Sequence, residues 1–143
     1  MNDEPLSILV ADESPRCRQA LRDTLDPAGY DIVGAPSGRE AIRIVREERI
    51  HIVVMDVCLP DYSGLEIYHA IKDIVGAAVP CIFTAVDIST RSIQGALSED
   101  AITILPKPVD MPRLVHAIDW SVNRYYSGRR RSPGFDPQRF RLQ

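Results

Sequence analysis

The feature that most constrains this chain is a short apolar run that stops at an acid. Residues 50–55 are almost all aliphatic, several of them are β-branched, and Asp56 ends the run. This length suits a strand buried on both faces better than it suits a helix. Ligands of open α/β sheets bind at the carboxyl ends of the strands, so the Asp56 carboxylate is placed for chemistry. Taken alone, one Asp at a strand end more often has a loop or capping role.

The rest of the chain alternates between apolar runs and segments of helical periodicity. The predicted strands cover residues 6–11, 30–34, 50–55, 79–83 and 101–105. The predicted helices cover residues 15–25, 37–45, 64–74, 89–97 and 111–125, with Ser14 and Asp110 as N-caps of the first and last. Short connections and right-handed crossovers predict a doubly wound α/β fold, with a five-stranded parallel sheet covered by helices on both faces.

Charge separates an acidic body from a basic tail. The net charge is −3, but the six Arg and one Asp of residues 121–143 give +5, which leaves −8 on residues 1–120. We expect one domain over residues 1–125 and a basic, disordered tail over residues 126–143. No apolar run reaches the roughly 20 residues that span a bilayer, and the acidic start does not resemble a signal peptide. These observations predict a cytoplasmic protein that makes no membrane contact.

The cysteines support the same compartment. Cys17, Cys58 and Cys81 are odd in number and form no Cys-x-x-Cys pair. We interpret them as free thiols in a reducing environment, and not as a disulfide framework or a zinc site.

Polar residues follow the predicted strands at one edge of the sheet. In chain order they are Asp12, Glu13, Asp56, Thr84 and Lys107. Three neighbouring carboxylates repel unless a cation lies between them, and hard oxygen ligands with room for water suit Mg²⁺. A lysine and a hydroxyl suit the oxygens of a transferred phosphoryl group, with Asp56 as the nucleophile that forms an acyl phosphate. The plainer alternative, in which Lys107 merely neutralises the acids, leaves Thr84 unexplained.

These motifs resemble those of the response-regulator receiver domains of bacterial two-component signalling. The resemblance spans residues 6–122 and rests on Asp12-Glu13, residues 55–60, Gly64 eight residues beyond Asp56, Thr84-Ala85 and Lys107-Pro108. It implies the flavodoxin-like fold with strand order 2-1-3-4-5.

The resemblance also implies roles for single residues. A histidine kinase or phosphotransfer protein would phosphorylate Asp56, in a domain that is not an enzyme beyond supporting this transfer and a slow dephosphorylation. Mg²⁺ would be bound by Asp12 or Glu13, by Asp56 and by the backbone carbonyl of Cys58, whose thiol is too soft for this ion. Lys107 and Thr84 would contact the phosphoryl oxygens, and the peptide bond that follows Lys107 would be cis.

Two positions depart from the family pattern. Ile104 stands three residues before the lysine, where the family usually has an aromatic residue that turns inward on activation. Pro106 removes a backbone donor at the end of the fifth strand. Both positions lie on the output side of the domain. They leave open a second hypothesis, in which the chain is a receiver-like interaction module that works without phosphorylation.

Two rival functions fit less well. A flavodoxin-like electron carrier needs a loop rich in Ser, Thr and Gly after the first strand, where this chain has Asp12-Glu13. A phosphoester hydrolase acting through Asp56 needs a second acid two residues later, where this chain has Cys58.

The last predicted helix has two faces. The face expected to pack on the sheet carries Leu114, Ile118, Ser121, Val122 and Tyr125, and the opposite face carries Arg113, His116 and Trp120. An exposed Trp is typical of protein interfaces. We therefore predict a downstream partner or self-association on the face formed by Arg91, Ile104, Arg113 and Trp120. The tail has no helix-turn-helix pattern, so a nucleic-acid partner is not expected.

Overall fold

The computed structural model of the chain describes residues 4–87 and 101–126. The strands are β1 (Ser7–Ala11), β2 (Asp31–Ala35), β3 (Ile52–Asp56), β4 (Cys81–Ala85) and β5 (Ala101–Pro106). The helices are α1 (Pro15–Leu25), α2 (Gly38–Glu47), α3 (Gly64–Val75) and α4 (Met111–Tyr125). The predicted helix over residues 89–97, which contains Arg91, lies outside the described residues. The same holds for the disordered tail predicted over residues 126–143, except for Tyr126, which the structure describes.

The strands form one parallel sheet in the order β2-β1-β3-β4-β5, which confirms the predicted fold and strand order. Four strands end later than predicted: β2 and β5 by one residue each, and β3 and β4 at or beyond a polar residue. Asp56 is the last residue of β3, and Thr84 lies within β4, where the backbones of the two residues are paired. A polar side chain does not end a strand while its backbone continues the ladder, so the polarity of these residues misplaced both ends.

The core consists of two apolar layers, one on each face of the sheet. In β3, Val53 and Met55 belong to the layer that includes Ile44 of α2 and Ile67 of α3. Ile52 and Val54 belong to the opposite layer, which includes Leu21 of α1 and Leu114 of α4. Because successive side chains of a strand point to opposite faces, a strand that is apolar throughout is buried on both.

The helix starts follow their sequence signals. Ser14 accepts from the Cys17 N–H at 3.1 Å, and Asp110 accepts from the Arg113 N–H at 3.2 Å, so both predicted N-caps are confirmed. Pro106 lies in β5, which is an edge strand of this sheet, where its missing N–H costs no ladder bond on the outer side.

Helix α4 packs largely as predicted. Leu114, Ile118, Ser121 and Val122 are buried, and Arg113, His116 and Trp120 are exposed. The prediction for Tyr125 was wrong, because its side chain is exposed and the Arg124 guanidinium stacks over its ring. The neighbouring Tyr126 takes the inner position and packs edge-on against His51. In the ranges that the structure describes, no helix has the length and apolar character needed to cross a bilayer.

Candidate functional site

One lysine bridges two buried acids at the carboxyl edge of the sheet. The Nζ atom of Lys107 lies 2.6 Å from Asp12 Oδ2 and 2.6 Å from Asp56 Oδ2. Asp12 directly follows β1, Asp56 ends β3 and Lys107 directly follows β5, so three strands deliver the three charges to one point. Only 2% of Asp12 and 8% of Asp56 is exposed. The peptide bond between Lys107 and Pro108 is cis, as predicted.

The second oxygen of each acid is held by a backbone donor of its own loop. Ser14 N–H donates to Asp12 Oδ1 at 2.8 Å, and Cys58 N–H donates to Asp56 Oδ1 at 2.9 Å. Each carboxylate is thus fixed in orientation at both oxygens, one by the chain just after it and one by Lys107. Carboxylate oxygens can accept more than one hydrogen bond, so both acids keep capacity for a further ligand.

The charges at this edge do not balance. Burial by itself lowers the pKa of the Lys107 ammonium, but its hydrogen bonds to Asp12 and Asp56 outweigh burial and raise that pKa above its ordinary value. Lys107 is therefore protonated at neutral pH and compensates one of the two acids. With Glu13 counted, the residues that line the cavity over this edge carry three carboxylates and one ammonium, which leaves a formal charge of −2.

A cavity of about 420 Å³ opens directly over these groups. It is lined by Asp12, Glu13, Ser14, Pro15, Asp56, Cys58 and Lys107. Glu13 and Cys58 are exposed, so they form the rim, while the two aspartates form the floor. Thr84 is buried beside Asp56 in the sheet and is not part of the lining.

The donor set suits Mg²⁺ in type and charge. Two fixed carboxylates and a third at the rim offer hard oxygen ligands, and a divalent cation would cancel the residual charge of −2. Within residues 4–87 and 101–126, no three His, Cys, Asp or Glu side chains already converge as a metal cluster. Two carboxylates in the floor and one at the rim leave positions for several water ligands, which is how Mg²⁺ is usually held.

The loop after Asp56 returns close to the acid. Gly64 opens α3, and a Cβ atom there would lie 2.4 Å from the Asp56 carbonyl oxygen. Gly64 N–H also donates to the Val57 carbonyl at 2.8 Å. The glycine eight residues beyond Asp56 is thus required by this close approach, and it brings the N-terminus of α3 beside the end of β3.

The same loop is anchored to α2. Asp61 Oδ1 accepts from Gly38 N–H at 2.8 Å, and Asp61 Oδ2 accepts from Arg39 N–H at 2.9 Å. Desolvation opposes ionisation of Asp61, but the backbone hydrogen bonds prevail and hold the pKa of this carboxyl below its ordinary value. The loop from Asp56 to α3 is therefore fixed at one end by the acid itself and near the other end by α2.

Three residues around the site were not predicted from the sequence. The Arg18 guanidinium reaches back from α1 to the carbonyls of residues 12 and 13, and Asp61 accepts hydrogen bonds from the first two amides of α2. The Cys17 thiol hydrogen-bonds Asp12, and burial followed by this contact raises its pKa to about 11. From the sequence, Cys17 is interpreted only as a free thiol, and nothing in the spacing of Arg18 or Asp61 signals a long-range contact.

The strand order and the acid-lined edge define a flavodoxin-like α/β protein with a polar site at the carboxyl ends of its strands. Comparison with known proteins narrows this class. The family model of the response regulator receiver domain matches residues 8–119. The chain is 34% identical over 112 residues to the response regulator MprA of Mycolicibacterium vanbaalenii, which covers 78% of this chain and 48% of that protein.

One further relative and one solved structure are similar to this chain in the same way. The chain is 29% identical over 119 residues to the transcriptional regulatory protein GlrR of Escherichia coli, which covers 83% of this chain and 27% of GlrR. The structure of chemotaxis protein CheY4 of Vibrio cholerae matches with a TM-score of 0.75 and 25% identity, covering 82% of this chain and 98% of that one.

The chain therefore belongs to the response regulator receiver domain family. Receiver domains interact with histidine kinases and downstream effectors, and they typically bind Mg²⁺ at the acidic pocket. This chain spans about a quarter of the length of GlrR and about half that of MprA.

Proposed function

We propose that this chain is a phosphorylatable receiver that takes a phosphoryl group on Asp56 from a histidine kinase or phosphotransfer protein, in the cytoplasm and with Mg²⁺. The observation that carries the proposal is the position of Lys107 Nζ, 2.6 Å from both buried acids. A buried cation between two carboxylates, under an open cavity, is the arrangement that a transferred phosphoryl group needs for charge compensation.

Asp56 is a better acceptor than Asp12. The side chain of Asp56 is 11% exposed and that of Asp12 is 4% exposed, so Asp56 is the more accessible of the two from the cavity. In the transfer, a carboxylate oxygen of Asp56 forms a bond to phosphorus while the bond from phosphorus to the donor histidine nitrogen breaks. The nitrogen keeps the electron pair, and the product is an acyl phosphate.

The neighbouring residues stabilise that product. Lys107 already contacts the Asp56 oxygen, so its ammonium is within reach of phosphoryl oxygens attached there. Thr84 is paired with Asp56 in the sheet and supplies a hydroxyl donor from the adjacent strand. Asp12, Glu13, Asp56 and the Cys58 carbonyl are the groups that would hold Mg²⁺. When bound, the ion would neutralise charge on the phosphoryl group.

Loss of the phosphoryl group is expected to be slow, so the chain acts as a phosphoacceptor and not as a turnover enzyme. The side chains two residues beyond Asp56 and Thr84 are Cys58 and Val86. Both are exposed, and Val86 reaches 80% exposure, but neither has the hydrogen-bonding groups that hold an attacking water in place. A Cys58→Asn, Val86→Glu double variant should therefore lose its phosphate faster than the parent.

The direct test is intact-mass spectrometry after incubation with acetyl phosphate, with Mg²⁺ or with excess EDTA. The parent should gain one phosphoryl group only with Mg²⁺, and Asp56→Asn should gain none. Asp61→Asn, five residues along the same loop, is the matched control and should still be labelled. Labelling of Asp56→Asn, or labelling of the parent in EDTA, would show that this mechanism is wrong.

A second candidate function keeps the fold but not the phosphorylation. Ile104 stands where the family usually has its aromatic residue, and this observation favours an interaction module that does not depend on phosphate. The same mass experiment separates the two candidates. A parent protein that binds Mg²⁺ but never gains a phosphoryl group would favour this module.

The output is proposed to be protein contact at β5 and α4. A groove of about 610 Å³ separates these elements and is lined by Ile102, Thr103, Ile104, Leu105, Arg113, His116, Ala117 and Trp120. Trp120 is 49% exposed at this groove. A mixed apolar and basic lining with an exposed Trp fits a protein partner or a second copy better than nucleic acid.

The test of this surface is Trp120→Ala, compared with Tyr125→Ala on the same helix. Sedimentation with and without acetyl phosphate reports self-association, and pull-down with a purified cognate partner reports binding. Weaker association of the Trp120 variant alone is the expected result. Equal association of both variants with the parent value would exclude this face as the output surface.

A further inference from the structure

Arg18 fastens the backbone of the acidic pair from outside the cavity. Its Nη1 atom donates to the Asp12 carbonyl at 2.6 Å and to the Glu13 carbonyl at 3.1 Å. Arg18 lies in the first turn of α1 and is not one of the residues that line the cavity. The contact therefore acts on the loop that carries the acids, and not on a ligand within the cavity.

These two hydrogen bonds from Arg18, called the clamp below, complete a set of restraints on the loop from Asp12 to Ser14. Asp12 N–H donates to the Ala35 carbonyl at 3.0 Å, and Ser14 N–H donates to Asp12 Oδ1 at 2.8 Å. With Arg18 on the next two carbonyls, the chain from Asp12 to Ser14 is held at its amide, its carbonyls and its side chain. The bonds from Arg18 and the bond to the Asp12 carboxylate each involve an ionised group, so both kinds are stronger than a hydrogen bond between neutral groups.

The sequence of β2 leaves room for this arginine. A Cβ atom on Gly34 would lie 3.3 Å from Arg18 Cδ and 3.6 Å from Arg18 Nε. The first distance is tight and the second is an ordinary van der Waals contact, so an added methyl group at position 34 would shift the Arg18 side chain by a few tenths of an ångström. Gly34 and Arg18 are thus matched across β2 and α1, and Gly34→Ala offers a way to disturb the clamp without removing any charge.

We propose that Arg18 is a positioning residue, which holds the backbone of Asp12 and Glu13 so that their carboxylates meet a divalent cation beside Asp56. The proposal rests on the proposed function, because it concerns the Mg²⁺ site of the same domain. Residues that orient metal ligands commonly change metal affinity by about 10- to 100-fold when they are replaced. Arg18 would act in this way through backbone carbonyls.

The chain offers a close control in Arg22, which lies one turn further along α1. Arg22 Nη1 donates to the Ile32 carbonyl in β2 at 3.2 Å, so it also ties α1 to a backbone carbonyl. Its contact is remote from the acidic loop. A general effect of removing an arginine from α1 should therefore appear equally in Arg18→Ala and Arg22→Ala.

The first measurement is the dissociation constant for Mg²⁺ by isothermal titration calorimetry, together with urea unfolding in EDTA. Arg18→Ala should weaken Mg²⁺ binding about 10-fold, at the lower limit for residues that orient metal ligands. Arg18→Lys should fall between Arg18→Ala and the parent, because one ammonium does not reproduce the planar guanidinium. Gly34→Ala should also weaken binding, and Arg22→Ala should leave it within about twofold of the parent. An unchanged constant in Arg18→Ala, or equal losses in the Arg18 and Arg22 variants, would overturn the proposal.

The second measurement needs no metal and separates this proposal from the proposed function. Hydrogen exchange of the Ser14 amide in EDTA should be faster in Arg18→Ala and Gly34→Ala than in Arg22→Ala. If the parent binds no Mg²⁺ but the Ser14 amide still exchanges faster in Arg18→Ala, Arg18 positions the loop and only the proposed binding of Mg²⁺ fails. Exchange that equals the parent rate in both clamp variants would refute the positioning role, whatever the metal affinity.

Discussion

The two ends of the sheet are built from opposite kinds of polar contact. At the carboxyl end, Asp12 and Asp56 share the charge of Lys107 under an open cavity. At the amino end, His51 Nδ1 accepts from Ser7 N–H at 2.9 Å, which requires that this nitrogen carry no proton. The Tyr126 hydroxyl donates to the His51 carbonyl, and the two rings pack edge-on at 5.3 Å.

Under the proposed function, the difference separates a site that stabilises the fold from a site that takes part in phosphoryl transfer. Neutral hydrogen bonds at the amino end join β1, β3 and the end of α4, and they satisfy groups that burial would otherwise leave unpaired. The carboxyl end buries two carboxylates for one lysine, and an unbalanced charge of this kind costs stability unless a ligand compensates it. Strain of this sort is expected where a domain binds a cation and a phosphoryl group.

The largest effect should come from removing the shared cation. Lys107→Met keeps the aliphatic stem but leaves two buried carboxylates without their partner, so the free energy of unfolding should fall by about 3 kcal/mol. Mg²⁺ should recover part of this loss, because it binds the folded state. Urea unfolding with and without Mg²⁺ measures the loss of stability and its recovery by the ion. Lys72→Met on α3 is the control. An equal loss of unfolding free energy in the two variants would show that the carboxyl end is no more sensitive to the removal of a lysine than α3 is.

The amino end should respond to substitution without any link to metal. His51→Leu leaves the Ser7 N–H without its acceptor and should cost about 2 kcal/mol in free energy of unfolding. Tyr126→Phe removes one hydroxyl, keeps the ring and should cost about 1 kcal/mol. Both losses should be the same with Mg²⁺ and with EDTA. A loss that Mg²⁺ relieves would mean that the two ends are coupled.

A smaller effect is expected at the contact between the loop after Asp56 and α2. Asp61→Ala removes the acceptor for two amides at the start of α2 and should cost about 1 kcal/mol in free energy of unfolding, and Asp61→Asn should cost less. The lowered pKa of Asp61 means that its contribution is present at neutral pH and is lost as the pH falls through the folded-state pKa. Urea unfolding between pH 7 and pH 2 should show the difference from Asp61→Ala shrinking once the pH is below the ordinary value of 3.8. A difference that does not shrink anywhere in this range would argue against the carboxylate as the acceptor for these amides.

The smallest change is chemical and does not require a variant. Cys58 is exposed at the cavity rim, Cys17 is half-buried and Cys81 is buried. Iodoacetamide at pH 8 should therefore modify Cys58 first, then Cys17 and last Cys81, because burial raises the pKa of both inner thiols and thiolate is the reactive form. Peptide mass mapping over time gives the order. The raised pKa of Cys17 also makes its contribution to stability fall as the pH rises from 9 towards 11.

Prediction from the sequence succeeded where a local pattern has one physical solution. A run such as residues 50–55 is buried on both faces in a parallel sheet, and Ser14 or Asp110 before a periodic segment begins a helix. It was less accurate where polarity and pairing disagree. Thr84 was placed beyond its strand because it is polar, and Tyr125 was placed inside because it shares the helical spacing of Leu114, Ile118 and Val122.

The sequence by itself determined the alternation of strands and helices, the residues at the carboxyl edge and the family resemblance that they carry. Those properties follow from hydrophobic periodicity and from short motifs, which depend on neighbours in the chain. The tertiary structure alone decided that Lys107 contacts both acids, that Glu13 lies at the rim, and that Arg18 and Asp61 fasten the two loops beside the site. These contacts join residues whose positions depend on how β1, β3 and β5 are ordered and how α1 and α2 pack against them, and no local spacing encodes that geometry.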